Sequence, residues 1–369
     1  MSLIEHFAEL DDPRIDRKKR HDLIDILVLS ICAIISGAEG WQGIVNFGHE
    51  KREWLSRYIG LRNGIPSHDC IAYVFARLSP EGFRSCFMAW VEGVRDKTAG
   101  EVIAVDGKTA RGSRDSKRGQ SPLHLVSAWA CANRLVLAQE ATNAKSNEIT
   151  AIPKLLEWLD LRGCIVTIDA MGCQTAIAQQ IIEQQGDYVL GLKDNQPSLH
   201  EAVADYFTVA RRHDFKGIAH DYAEEIDNEH GRLETRRYWI CDDLSTLPNP
   251  ERWVGLRSIG MVERECTQGG KISREQRYFI NSIAADAKPF AHAVRSHWGI
   301  ENRLHWRLDV VMREDDCRIR KDNSPAILAM LRHMSLNLFE KTHVKLSLKQ
   351  KRFKAALSDD FRQQVVFGG

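Results

Sequence analysis

Three acidic residues stand in contexts where acids are seldom placed for packing. Asp106 follows an apolar, β-branched run in V-I-A-V-D-G-K, and Asp169 does the same in C-I-V-T-I-D-A. Glu301 sits in S-H-W-G-I-E-N-R-L-H-W, amid aromatic, aliphatic and His neighbours on a helical pattern. A buried charge needs a partner or a metal, so each position asks for an explanation. Three convergent carboxylates make a hard-oxygen site for two Mg²⁺ ions, and paired divalent ions drive phosphodiester cleavage. Each acid also has a plainer reading. Either Asp can cap the turn that follows its strand. Glu301 can pair with His297 or His305, one turn away on either side.

Helix geometry sharpens the third position. At 100° per residue, Val294, His297, Trp298, Leu304, His305 and Leu308 fall within about 60° of Glu301, while Gly299, Arg303 and Arg307 point roughly the other way. The pattern therefore predicts Glu301 near the centre of an inward face, on one helix running from Asp286 to about Arg313. For the two aspartates, the carboxyl ends of neighbouring strands in an α/β sheet are where ligand sites form. Gly107 and Gly172 allow close backbone approach beside them.

The surrounding elements follow from periodicity. Residues 1–95 read as helical: one helix over His21–Ser36 ended by Gly37, a second over Gly43–Tyr58, and a third capped by Ser67 with Ile71, Val74, Phe75 and Leu78 at helical spacing. The last two resemble a helix-turn-helix, but ordinary helical packing gives the same pattern and is preferred. Strands are predicted over Glu101–Asp106, Leu123–Ala130, Arg134–Gln139, Cys164–Asp169 and Tyr188–Leu192. Helices are expected from an Asn147 cap to Leu159 and over Thr175–Gln185. The order β-β-β-α-β-α-β is that of an RNase H-like fold. Residues 213–283 read as a strand-rich insertion with a hairpin at Gln268–Gly270. A helix over about Pro325–Lys341, capped by Asn323 or Ser324, follows.

Composition narrows the class. With 43% apolar and 27% charged residues, the chain reads as an ordinary globular protein long enough for two or three domains. The net charge of +1 is uninformative about nucleic acid. Local basic runs are not: Arg17–His21, residues 108–118 and Lys341–Leu357 can each meet phosphates, although any one could be a solvated face. Nine scattered cysteines without a C-x-x-C pair argue against a zinc ribbon or disulfide framework and for a reducing cytosol. The most apolar stretch, Leu23–Ile35, is too short to span a bilayer. G-x-G-x-x-G, G-x-x-x-x-G-K-[ST] and G-x-S-x-G are all missing, which disfavours a metabolic α/β enzyme.

The motifs V-D-G-K, I-D-A-M-G-C-Q, G-L-K-D-N-Q and H-W-x-I-E-N-x-L-H-W-x-L-D-V resemble those of the H-repeat-associated transposases, bacterial insertion-sequence transposases of the DDE class. The resemblance covers essentially the whole chain. It implies an α/β fold: an RNase H-like catalytic core over 96–341 with the β-rich insertion at 213–283. An all-helical N-terminal domain over 1–95 is a candidate for DNA binding, and a basic segment covers 342–369. It implies that Asp106, Asp169 and Glu301 are catalytic and hold two Mg²⁺ ions, with Mn²⁺ able to substitute. Element-end cleavage and strand transfer would follow without a covalent enzyme intermediate. The partners expected are double-stranded DNA, as element ends and target, and a second copy of the chain. No membrane association is expected, and the location expected is the bacterial cytoplasm, at the nucleoid when bound to DNA. Two other readings keep the fold: a silent transposase-derived DNA-binding protein, and a nuclease without strand transfer.

One departure stands out. Many related transposases carry a Tyr seven and an Arg four residues before the Glu, and a Lys seven after it. Here Val294, His297 and Leu308 hold those places, with Arg295, His305 and Asp309 nearby. The candidate DNA contacts are therefore Lys108, Lys193, Asn195, Arg295 and His305, with Lys193 at its strand end the best placed for a phosphate.

Overall fold

A thirteen-residue run as apolar as L-I-D-I-L-V-L-S-I-C-A-I-I must be buried all round, and its two polar residues then need partners. Both have them. The carboxylate of Asp25 accepts from the backbone N–H groups of Gly60 (3.1 Å) and Leu61 (2.7 Å), and the Ser30 hydroxyl donates to the Ile26 carbonyl. The computed structural model describes residues 3–142, 148–229 and 231–368. The chain divides into two compact units: Met1–Asp96 with Gly107–Asn147 and Glu301–Gly369, and Lys97–Asp106 with Glu148–Ile300.

In the first unit the N-terminal helices are α1 (Leu3–Phe7), α2 (Leu23–Ile35), α3 (Trp41–Glu50), α4 (Arg52–Leu55), α5 (His68–Arg77) and α6 (Pro80–Val94). The single helix expected over Gly43–Tyr58 is broken at Lys51, whose φ of −112° departs from helical geometry. Ser67 caps α5 as expected, its hydroxyl accepting from Cys70 N–H at 3.2 Å. Ile71, Val74 and Phe75 are fully buried, so α5 is a packing helix in this unit.

Strand β1 (Val102–Ala110) runs through the division between the units, with β2 (Leu123–Ala130) and β3 (Leu135–Thr142) antiparallel in the first. The first strand thus runs four residues further than the sequence suggests, because Gly107–Ala110 continue extended past Asp106. The Asn147 cap lies outside the described residues.

The second unit continues with α7 (Glu148–Glu157), β4 (Ile165–Ile168), α8 (Thr175–Glu183), β5 (Asp187–Leu192) and α9 (Pro197–Arg212). The strands β6 (His220–Glu229), β7 (Arg232–Cys241), β8 (Ser258–Gln268) and β9 (Lys271–Asn281) follow. Here the strand order is β1-β4-β5-β9-β8-β7-β6. β1, β4 and β5 are parallel, as an RNase H-like core requires. The insertion is a four-stranded antiparallel meander that joins the core edge through β5–β9. Gly269 and Gly270, at φ +56° and +77°, close the β8–β9 hairpin between Gln268 and Lys271, where two successive positive φ values call for Gly. Helix α10 (Ala287–Gly299) packs on β4–β7.

The long helix expected to Arg313 is not one α-helix. Residues Ile300–His305 form a π turn before α11 (Trp306–Val310). The first unit then ends with α12 (Ser324–Lys341), α13 (Leu348–Leu357) and α14 (Asp359–Phe367). Helix α12 is buried along almost its whole length and packs on α2, α5, α6 and β3. Its Asn337 locks to β3 twice, accepting from Val136 N–H (2.8 Å) and donating to Val136 C=O (2.9 Å). Asn323 stands at its N-cap position as expected but makes no side-chain cap; its amide donates to the Leu78 carbonyl.

Candidate active site

In the second unit, β1 and β4 pair in parallel with Val102, Ile103, Ala104 and Val105 opposite Ile165, Val166, Thr167 and Ile168. Asp106 and Asp169 are the next residue on each strand, so two acids 63 positions apart leave the ladder side by side. Neighbouring strands lie about 5 Å apart, which is the reach over which two carboxylates share a cation. The pair comes from residue type: four β-branched or small residues on each strand are buried, and the acid is the first residue after each run that is not. Asp106 is half-buried and Asp169 is exposed.

Asp169 is held rather than loose. Its Oδ1 accepts from Met171 N–H at 3.1 Å and caps the short 3₁₀ turn Ala170–Gly172. The turn-capping reading is therefore realised, and it occupies Oδ1. The turn is braced from the other side by the G-L-K-D-N-Q motif. The Asn195 amide donates to the Ala170 carbonyl at 2.5 Å, and the Gln196 amide donates to the Cys173 carbonyl at 3.0 Å. Gly172 is required here, since a Cβ would lie 2.2 Å from Ile168 Cγ2. The nearby Cys173 thiol is fully buried, and burial first, then Asp169, pushes its pKa far up, so it is no nucleophile.

His297 makes a contact that the sequence did not reveal. Its Nδ1 meets Thr167 Oγ1 at 3.0 Å, on β4 two residues before Asp169. The ring is enclosed, although the residue as a whole keeps some exposure. Burial holds its pKa down at about 4 against the opposing pull of Asp169. The imidazole is therefore neutral near pH 7. Only the i, i+4 spacing to Glu301 was visible in the sequence, and the contact with β4 is tertiary.

Glu301 does not occupy an inward face. It is exposed, together with Asn302 and Arg303, while Ile300, Leu304 and Leu308 are buried to within 1%. Ile300 takes the inward place one position earlier, and the π turn adds a residue per turn, so the 100° projection loses phase here. Desolvation therefore gives no reason for a cation at Glu301, contrary to the expectation from the helical pattern. π turns nonetheless mark functional positions often enough to be informative. Among the described residues, no three His, Cys, Asp or Glu side chains are grouped so as to hold a metal. Asp106 and Asp169 by themselves suit a hard divalent cation, as adjacent oxygen donors at the margin of the buried core.

The candidate DNA contacts fall into different environments. Lys193 is exposed just past the end of β5. Asn195 is spent on the Asp169 turn. Arg295 is exposed and lies 3.7 Å from Asp227. His305 is half-buried within the π turn. Lys108 is buried: its ammonium lies 2.7 Å from Asp309, 3.0 Å from Glu314 and 3.6 Å from Asp315, all in the first unit. In the Lys341–Leu357 run, Lys341 donates to the Val94 carbonyl, Lys351 to the Phe339 and Thr342 carbonyls, and Arg352 to the Ile34 carbonyl. Three of its six basic side chains thus bond the chain's own backbone, so the run is not one solvated stripe.

Comparison with known proteins places the chain in a family. Residues 97–338 match the family model described as Transposase DDE domain, and residues 4–91 match its associated N-terminal model, DDE_Tnp_1-associated. The "H repeat-associated putative transposase YhhI" of Escherichia coli is 41% identical over 372 residues, covering 99% of this chain and 98% of that protein. The "Putative transposase YncI" of another Escherichia coli strain is 42% identical over 374 residues, covering 99% and 94%. A cryo-EM structure of a piggyBac transposase synaptic complex with hairpin DNA aligns over 98% of this chain and 76% of that one. Its TM-score of 0.46 at 11% identity is too low to carry an argument. On the family models and the full-length relatives, this chain belongs to the H-repeat-associated branch of the DDE transposases.

Proposed function

We propose that this protein cuts DNA at the ends of an insertion-sequence element and joins the freed 3′ ends to target DNA, using Asp106, Asp169 and Glu301. The observation that carries the reading is the register: Asp106 and Asp169 are the first residues past the paired segments of adjacent parallel strands. Both would hold a divalent ion, Mg²⁺ by choice of ligand, with Glu301 as third carboxylate. When bound, such ions activate water toward a phosphodiester and stabilise the leaving 3′ oxygen. The chain's own residues prepare for this. Met171 N–H fixes Asp169 through Oδ1, Asn195 and Gln196 brace its turn, and Lys193 stands exposed for a phosphate. Exposure of Asp169 and Glu301 suits a polymeric substrate, which approaches from outside. Two element ends must be brought together, which calls for a dimer on DNA.

The test is metal-dependent cleavage of a duplex carrying the element end, with Asp106→Asn, Asp169→Asn and Glu301→Gln. Each should abolish cleavage in Mg²⁺ and in Mn²⁺ while leaving DNA binding intact. Wild-type cleavage by any of the three would remove that residue from the triad. Cleavage without joined products would favour a nuclease. The exposed Glu301 favours one second reading, a DNA-binding relative without activity, and that reading is correct if the unmodified protein binds but never cuts.

A further inference from the structure

A cleft of about 320 Å³ in the first unit is lined by Arg134, Arg307, Lys345 and Lys351, with Glu340 as its one carboxylate. Arg307 pairs with Glu340. Lys351 is buried and donates to two backbone carbonyls, so it forms part of the wall. Lys345 is exposed. Arg134 and Arg303 have no ion-pair partner among the described residues, and both are exposed. Cations crowded around one carboxylate repel one another, and a fold keeps such a group together at a cost that a bound anion removes.

Two further features point the same way. Arg134 sits at the β2–β3 turn with φ +57°, a left-handed conformation that Gly or Asn takes at less cost. An arginine there presents its guanidinium from the turn beside the cleft. Arg303 is held below its ordinary pKa by burial first and then by the charges of Arg134 and Arg307, with Glu340 acting the other way. None of these residues belongs to the motifs that identify the family, apart from the helix on which Arg303 and Arg307 lie.

We infer that Arg134, Arg307 and Lys345 form a phosphate-binding cleft that grips the backbone of duplex DNA, with Arg303 adding its charge from outside the lining. Guanidinium groups suit this role because their planar fork matches phosphate oxygens. The inference rests on the transposase reading for its ligand, DNA, and not on the carboxylate triad. Contacts of this kind position the duplex and carry no base sequence.

The experiment is fluorescence anisotropy with a labelled 30-base-pair duplex and the full chain, over a series of NaCl concentrations. The variants are Arg134→Gln, Arg303→Gln, their double and Lys345→Gln. Arg162→Gln, a surface arginine outside the cleft, is the control. Thermal melts verify that each variant is folded. The double variant should bind at least about ten-fold more weakly near 100 mM salt, and its log–log salt slope should flatten by about 0.9 for each phosphate no longer neutralised. The control should match the unmodified chain. A folded double variant with unchanged affinity and unchanged slope overturns the inference. Asp106→Asn separates the two readings. It should bind DNA normally and not cut, so cleavage by Asp106→Asn refutes the triad while leaving the cleft standing. Normal binding by the arginine variants refutes the cleft alone.

Discussion

Replacing Lys108 by Met separates two roles for the V-D-G-K lysine. The Lys108 side chain is 8% exposed, and its ammonium's closest partners are Asp309 at 2.7 Å and Glu314 at 3.0 Å, with side-chain exposures of 37% and 1%. Burial alone would raise Glu314, but Lys108 and Arg332 hold it below the ordinary carboxylate range. Burial pushes Asp309 the other way, upward, despite Lys108. Lys108–Glu314 is the firmer pair, since the cations outweigh burial at Glu314, whereas at Asp309 burial outweighs Lys108. Removing one partner of a buried pair costs about 3–5 kcal/mol. Arg332 stays 3.5 Å from Glu314 and compensates part of the charge, so the lower end applies, roughly 3 kcal/mol. In a unit of this size that lowers Tm by roughly 6–12 °C. Thermal denaturation of Lys108→Met, Glu314→Gln and the double variant forms the assay. The double variant should be more stable than the sum of the single losses, by at least roughly 1 kcal/mol of coupling. If Lys108→Met melts like the unmodified chain but loses DNA affinity, the lysine is a phosphate contact and its role as a buried strut is refuted.

Three further expectations follow from the same geometry. Asn195→Asp replaces the donor that meets the Ala170 carbonyl with an acceptor, so end cleavage should fall at least ten-fold while duplex binding is kept; undiminished cleavage would show that the brace does not matter. Gly172→Ala places a methyl 2.2 Å from Ile168 Cγ2 and 3.0 Å from Ile152 Cδ1, and should cost about 1–3 kcal/mol in denaturant unfolding with cleavage reduced in parallel. His333 is 1% exposed and is held down at about 4 by burial, against the pull of Glu314. The unfolded chain therefore takes up that proton near pH 6.5 and the folded chain only near pH 4, so stability should fall as pH drops through this window. His333→Leu should reduce the slope of stability against pH there by up to about 1.4 kcal/mol per pH unit, and an unchanged slope would show that His333 is not the group responsible.

Residue types and their order were enough for the core strand runs, the insertion hairpin at Gly269–Gly270, the helical α2 and the two strand-end aspartates. Each rests on a local rule: β-branched runs, paired positive-φ glycines, continuous hydrophobicity. They were enough for the family as well, because the motif around Glu301 is long. Tertiary structure decided the rest. That Asp106 and Asp169 share one register depends on strand pairing across 63 positions. Ile300 rather than Glu301 turns inward because a π turn shifts the helix phase, and periodicity at 100° per residue cannot register an inserted residue. Lys108 reads as a basic surface residue until Asp309 and Glu314, some two hundred positions later, close over it. That the Asn195 amide braces the Asp169 turn is likewise invisible until the fold returns it there. Charge and period are properties of the chain, whereas the partner that neutralises a charge is chosen by packing.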